Sequence, residues 1–188
     1  MNETALNLLL NRRSIRAYKD KKVTEEEKEL LLKCALASPS AGNRQPWHFT
    51  FVEDQALLDE INAEMCRQRR LLAANEDEAR RWDGFHVFFH APLVVFISGP
   101  ARPNHGKFSE LDDGIACENI VLGAEALGLG SCILGFPMAA FEGDRAAELS
   151  RKLKFPEGYE FKVSVSIGQI AATKGEHPIG ENKYDFIG

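Results

Sequence analysis

Apolar residues recur at helical spacing from the start of the chain. Leu6, Leu9 and Leu10 within Asn2 to Asn11 predict a short amphipathic helix, which delivers the segment Arg12-Arg13-Ser14-Ile15-Arg16 at its end. Thr24 followed by Glu25, Glu26 and Glu27 has the form of a capping box, and Leu30, Leu31, Ala35 and Leu36 continue it as a helix to about Ala37. The turn residues Ser38-Pro39-Ser40-Ala41-Gly42-Asn43 stop that helix, and Trp47 to Val52 resumes with strand-forming types. Asp54 to about Leu72 is again helical, whereas the charge-dense Ala73 to Arg81 fits either a helix or a mobile excursion. Pro92 to Ser98 predicts a second strand, and Ala101 to Lys107 a polar connection. Asp112 to Leu127 carries Ile115, Ala116, Ile120, Gly123 and Ala124 at helical spacing, and its small residues allow another helix to approach closely. After Gly128-Leu129-Gly130-Ser131 come a short strand Cys132 to Phe136, a helix Phe141 to Leu153 and an alternating strand Glu160 to Ile167. The tail beyond Gly168 is polar until Tyr184-Asp185-Phe186-Ile187, an apolar end that predicts packing on another surface, a partner subunit being one candidate.

This order, helix-heavy with about four separate strands, predicts an α+β fold. No repeat, low-complexity tract or linker divides the chain, so residues 1–188 are read as a single domain. A net charge of -5 repels phosphate backbones and anionic membrane surfaces, which excludes nucleic acid as the expected partner. No apolar run approaches the roughly 20 residues of a membrane span, and the acid-before-leucine start is the reverse of a secretory signal. We therefore expect a soluble, cytoplasmic protein. Cys34, Cys66, Cys117 and Cys132 are scattered, with all but Cys66 in apolar or small-residue surroundings; this predicts free thiols instead of disulfides or a zinc site.

Arg12, Arg13 and Arg16 are the densest early group of cations in this acidic chain. Guanidinium forks suit a phosphate dianion, and Ser14 adds a hydroxyl donor. The same arginines also suit a purely structural role, complementing a helix dipole and pairing with surface acids. Pro39 to Trp47 offers small residues that let backbone approach a flat ligand, followed by the amides of Asn43 and Gln45; it also reads as an ordinary helix-to-strand turn. Gly128-Leu129-Gly130 follows a helix and precedes a strand, the reverse of a dinucleotide fingerprint. His86 and His90 lack the HExxH context of a metal site, so no metal is expected, and Ser40 lacks the elbow of a serine hydrolase.

The pairing of RRSIR with SPSAGNRQPWHF about 25 residues later resembles the nitroreductase family. So do the stretch from Asp112 to Gly135 and the strand VSVSIGQ, which extend the resemblance over nearly the whole chain. It implies a three-layer α+β fold, a central mostly antiparallel sheet flanked by helices, with a C-terminal arm exchanged in a homodimer. FMN is implied at the subunit interface, with NADH or NADPH as electron donor and a nitroaromatic, quinone or similar small conjugated acceptor. By the same resemblance Arg12, Arg13, Ser14 and Arg16 hold phosphate, ribityl and ring-edge oxygens. Pro39, Ser40, Ala41 and Asn43 come from the other subunit, Gln45 also binds the cofactor, Leu134 and Gly135 lie along the ring near N5, and Lys174 is the C-terminal phosphate cation. No side chain is expected to act as a catalytic nucleophile, since the flavin carries the chemistry. Two departures are visible: the polar residue before the second strand falls near Asp83, and the tail TKGEHPIGENKYDF has no second arginine. Relatives that dehalogenate aromatics or degrade flavin, and a flavin-storage protein without turnover, are the alternative readings.

Overall fold

The computed structural model describes residues 2–101, 106–176 and 178–188. Much of the predicted connection after Ala101 lies outside them. Four strands, β1 (His48–Val52), β2 (Leu93–Pro100), β3 (Gly130–Leu134) and β4 (Tyr159–Gly168), form one sheet in the order β1-β2-β4-β3, with every strand pair antiparallel. The helices are α1 (Glu3–Asn11), α2 (Glu25–Leu36), α3 (Gln55–Leu71), α4 (Glu76–Arg80), α5 (Ser109–Ala126) and α6 (Ala146–Lys152).

β2 and β4 are central, and the run Leu93 to Ile97 is buried on both faces, which explains why it reads as a continuous apolar stretch. Val94 and Phe96 pack with Leu58, Ile61 and Met65 of α3 and with Leu149 of α6. Leu93, Val95 and Ile97 pack on the other face with Leu31 of α2 and Ile120 and Ala124 of α5. Three layers result. Gly123 admits the close crossing of α2 and α5, because a Cβ there would lie 2.9 Å from Cys34 Sγ.

Local rules set the ends of these elements. The capping box at Thr24 is complete, with Glu27 N–H donating to Thr24 Oγ1 and Thr24 N–H donating to Glu27 Oε2 at 2.7 Å. Asp54 caps α3 through the N–H groups of Ala56 and Leu57.

Three expectations need correction, and one left open is decided. The strand expected at Cys132 to Phe136 begins earlier and stops at Leu134, because Gly135 is already helical in backbone and Pro137 cannot donate to a ladder. The helix expected over Phe141 to Leu153 is a 3₁₀ stretch, Phe136–Phe141, then α6, with Gly143 between them pressed against Gln68. Cys66 faces inward from α3 and is buried, while Cys34 is only half-buried; all four thiols are free. The charge-dense segment contains a short helix, α4, capped by Asn75.

Candidate active site

α1 ends at Arg12, whose N–H still bonds Leu8 O at 3.3 Å. The chain then runs extended along the outer edge of β3. Ser14 bridges Ser131 in parallel, Ile15 N–H donates to Ser131 O at 2.8 Å, and the Ile15 side chain fills the space above Gly130, where a Cβ would come within 2.9 Å of Ile15 Cβ. Tyr18 pins the far end of the segment by donating its hydroxyl to Ile15 O at 2.7 Å and meeting Ser166 Oγ at 2.8 Å.

This segment and the tail enclose a cleft of about 210 Å³ lined by Arg12, Arg13, Ser14, Arg16, Lys174 and Gly175. The structure thus joins all four expected N-terminal residues to Lys174. Part of the structural reading also holds, because Arg13 Nη1 donates to Leu10 O at 2.7 Å and so satisfies the end of α1. Arg12 lies 3.7 Å from Glu118 and Arg13 lies 3.4 Å from the exposed Glu176, pairs too solvated to hold a cation against a better anion. Arg16 has no carboxylate at ion-pair distance among the described residues; its guanidinium sits 5.9 Å from the centre of the Phe89 ring. Burial pushes the thiol of the neighbouring Cys132 up, against the pull of Arg16 and Ser14, so it stays neutral.

Arg16 also lines a second cavity of about 600 Å³, with Phe85, Val87, Phe89, Ile133, Leu134, Gly135 and Phe136. Its lining is apolar apart from that one guanidinium. A Cβ built on Gly135 meets nothing within 4 Å, so bare backbone looks onto open space. Phe88 takes no part and is core, packed edge-on to Phe96. Sequence reading missed Arg69, the residue that stiffens the rim: its guanidinium lies over Trp82 at 5.8 Å and Phe136 at 5.2 Å. In the sequence it is one of several basic residues ending α3, with nothing to single it out.

The loop from Pro39 lies elsewhere in this chain. Gly42, Asn43 and Gln45 all take left-handed backbone, at φ of 62°, 53° and 48°. Ser40 Oγ accepts from Gln45 N–H at 2.9 Å, Gln45 Nε2 donates to Asn43 Oδ1 at 2.9 Å, and Ala41 N–H donates to Asp112 Oδ1 at 3.0 Å. Ala41 thus ties the loop to the start of α5, and Pro39, Ser40, Ala41, Asn43 and Gln45 line neither cavity around Arg16. The predicted histidine pair stacks at 3.9 Å in a turn, with His86 Nε2 3.0 Å from Asp59 Oδ1, and no group of three metal-ligating side chains occurs among the described residues.

A larger cavity of about 700 Å³ lies across Ile133 and is acidic, lined by Glu110, Asp113, Glu142 and Glu160 against Lys162. Both Asp113 oxygens are buried without a partner among the described residues, and burial pushes its carboxyl up to about 6 despite the pull of Lys162. This lining has the wrong sign for an anion. By contrast the two cavities that share Arg16 suit one elongated ligand, anionic at one end and flat and apolar at the other.

The Nitroreductase family model matches residues 9–169. An Archaeoglobus fulgidus protein named as an NADH dehydrogenase/NAD(P)H nitroreductase is 33% identical over 171 residues, covering 88% of this chain and 85% of its own. The FMN reductase (NADPH) of Bacillus subtilis is 28% identical over 189 residues, covering 95% of this chain and 70% of its own. Among solved structures, a nitroreductase of Desulfitobacterium hafniense with bound FMN superposes with a TM-score of 0.89 at 30% identity, covering 100% of this chain and 99% of that one.

Proposed function

The chain belongs to the nitroreductase family, and from that premise we propose that it is an FMN-dependent oxidoreductase. It takes two electrons from NADH or NADPH and passes them to a nitroaromatic, quinone or similar conjugated acceptor in alternating half-reactions. The observation that carries this reading is the junction at Arg16 of a cationic cleft with an apolar cavity, the two ends an FMN requires. Arg12, Arg13, Ser14 and Lys174 would hold the phosphate, Arg16 the polar edge of the ring, and Leu134 with Gly135 the ring itself. When bound, the flavin supplies hydride acceptance and donation, chemistry no side chain here offers.

The chain's own groups bind, orient and exclude water. Arg16, whose guanidinium lies 5.9 Å from the centre of the Phe89 ring, would place a positive charge where the ring edge gains electron density. Phe85, Phe89 and Phe136 shut water from the ring's apolar side. The loop Pro39 to Gln45, remote from Arg16 within one chain, would reach the ring of a second copy, so the site is complete only in a homodimer. The neutral Cys132 thiol and the absence of a nucleophile elbow leave covalent catalysis without support.

An absorbance spectrum of the purified protein tests this directly. Flavin bands near ~450 nm, bleached by NADH or NADPH under anaerobic conditions and restored by a nitroarene or quinone, are expected. A colourless protein that cannot be reconstituted with FMN would overturn the reading.

A further inference from the structure

A third cleft, of about 310 Å³, lies where the loop meets the start of α5, and is lined by Ala41, Gly42, Arg44, Pro46, Gly106, Lys107, Phe108, Ser109 and Asp112. Four independent features give it one chemical character. α5 is 18 residues long and points its N-terminus, the positive end of its dipole, at this cleft, yet its cap residue Phe108 offers no side-chain hydrogen bond. Ser109 lines the cleft and is 3% exposed, and its Oγ is buried with no hydrogen-bond partner among the described residues. Arg44 has no carboxylate at ion-pair distance among the described residues, and its Nη1 packs close to Gly106, where a Cβ would lie 2.8 Å away. Lys107 Nζ is likewise held by the Phe108 ring, 5.7 Å from its centre. The opposing charge is Asp112, one of whose oxygens already accepts from Ala41 N–H. Two cations thus face one partly satisfied carboxylate, and a buried donor awaits an acceptor.

We propose that this cleft binds a phosphate group of the nicotinamide donor, held by Arg44, Lys107 and the Ser109 hydroxyl at the N-terminus of α5. The inference rests on the proposed function, because its location follows from the loop: Asn43 and Gln45 flank Arg44, so a loop that reaches the ring carries this cleft to the ring's entrance. The phosphate chemistry is shared by the 2′-phosphomonoester of NADPH and the bridging pyrophosphate common to both donors. NADPH and NADH separate the two.

The test compares reduction of the flavin-loaded protein by each donor in wild type, Arg44→Gln, Lys107→Gln and Ser109→Ala. A charge-assisted hydrogen bond lost in each lysine or arginine variant raises the KM for NADPH about tenfold, and loss of the hydroxyl raises it severalfold. A rise confined to NADPH assigns the 2′-phosphate, and an equal rise for NADH assigns the pyrophosphate. Flavin-loaded variants that keep the wild-type KM for both donors overturn the subsite and leave the flavin reading intact. Absence of FMN, reported by the spectrum of the same samples, overturns the flavin reading instead. In that case calorimetric titration with 2′-AMP and with inorganic pyrophosphate still tests the cleft: binding of one of them that weakens about tenfold in Arg44→Gln upholds it, and binding of neither, or binding indifferent to Arg44, sinks it.

Discussion

At the scale of single residues, charge and burial decide what each group can do. Arg16 lines both cavities and is free of any carboxylate among the described residues, so Arg16→Ala should lose most of the bound flavin, with affinity for added FMN falling roughly tenfold to a hundredfold. Equilibrium titration followed by flavin fluorescence measures this, and an unchanged affinity would mean that the phosphate cleft has been misplaced. Asp113 makes a different prediction. Its carboxyl is raised from 3.8 to about 6 by burial, so the folded protein holds that proton more tightly than the unfolded chain. Stability therefore falls as pH rises from about 4 to about 6 and is flat outside that window, losing about 2 kcal/mol after allowance for solvent screening. Asp113→Asn should remove that slope. Urea unfolding of both proteins at pH 4.5 and pH 7 checks it, and an identical pH dependence in the two would assign the slope elsewhere.

At the scale of elements, the site depends on contacts that no single helix or strand makes alone. Gly130 at the start of β3 leaves room for Ile15, so Gly130→Ala should push the arginine segment off the strand edge. The expected result is lost flavin together with a lowered melting temperature, and retention of both would show that the segment can rearrange. Thr24→Ala removes one half of the capping box and should cost about 1 kcal/mol, read as a lower urea midpoint, with Thr24→Ser restoring it. Such caps were legible in the sequence because Thr24, Glu27 and Asp54 act within a few residues of themselves. The buried run of β2 was legible for a similar reason. What escaped was set by residues distant in sequence: the break at Gly143 against Gln68, the burial of Cys66 and the stacking of Arg69 on Trp82 and Phe136. The residues proposed to bind phosphate were half legible. RRSIR announces its charge, but only the bridge from Ser14 to Ser131 brings it beside Leu134 and Gly135.

At the scale of the whole molecule, the apolar surface points to a second copy. Leu9 and Leu10 of α1, Leu36 of α2 and Leu111 of α5 are exposed, as are Tyr184, Phe186 and Ile187 in the tail. Exposure of this extent fits the homodimer proposed above. Light scattering on the eluting protein should give twice the 21.0 kDa chain mass, and removal of residues 183–188 should weaken that association and release flavin. A stable monomer that retains FMN would remove the need for a loop supplied by the partner. The described residues contain no helix long and apolar enough to cross a membrane.

The pairing of the N-terminal segment with β3 and with the strand end near Ile170 also orders events in time. Ile15 waits for Ser131, and Lys19 and Ala17 wait for Gln169 and Ala171. Contacts between residues so far apart along the chain form late and slowly. During synthesis the arginines emerge long before Ser131 and Gln169, yet they cannot settle along the edge of β3 until those residues have followed. On the proposed function, capture of a flavin phosphate would wait for that pairing, and a chain ending before Ser131 would carry its arginines without the strand edge that aligns them.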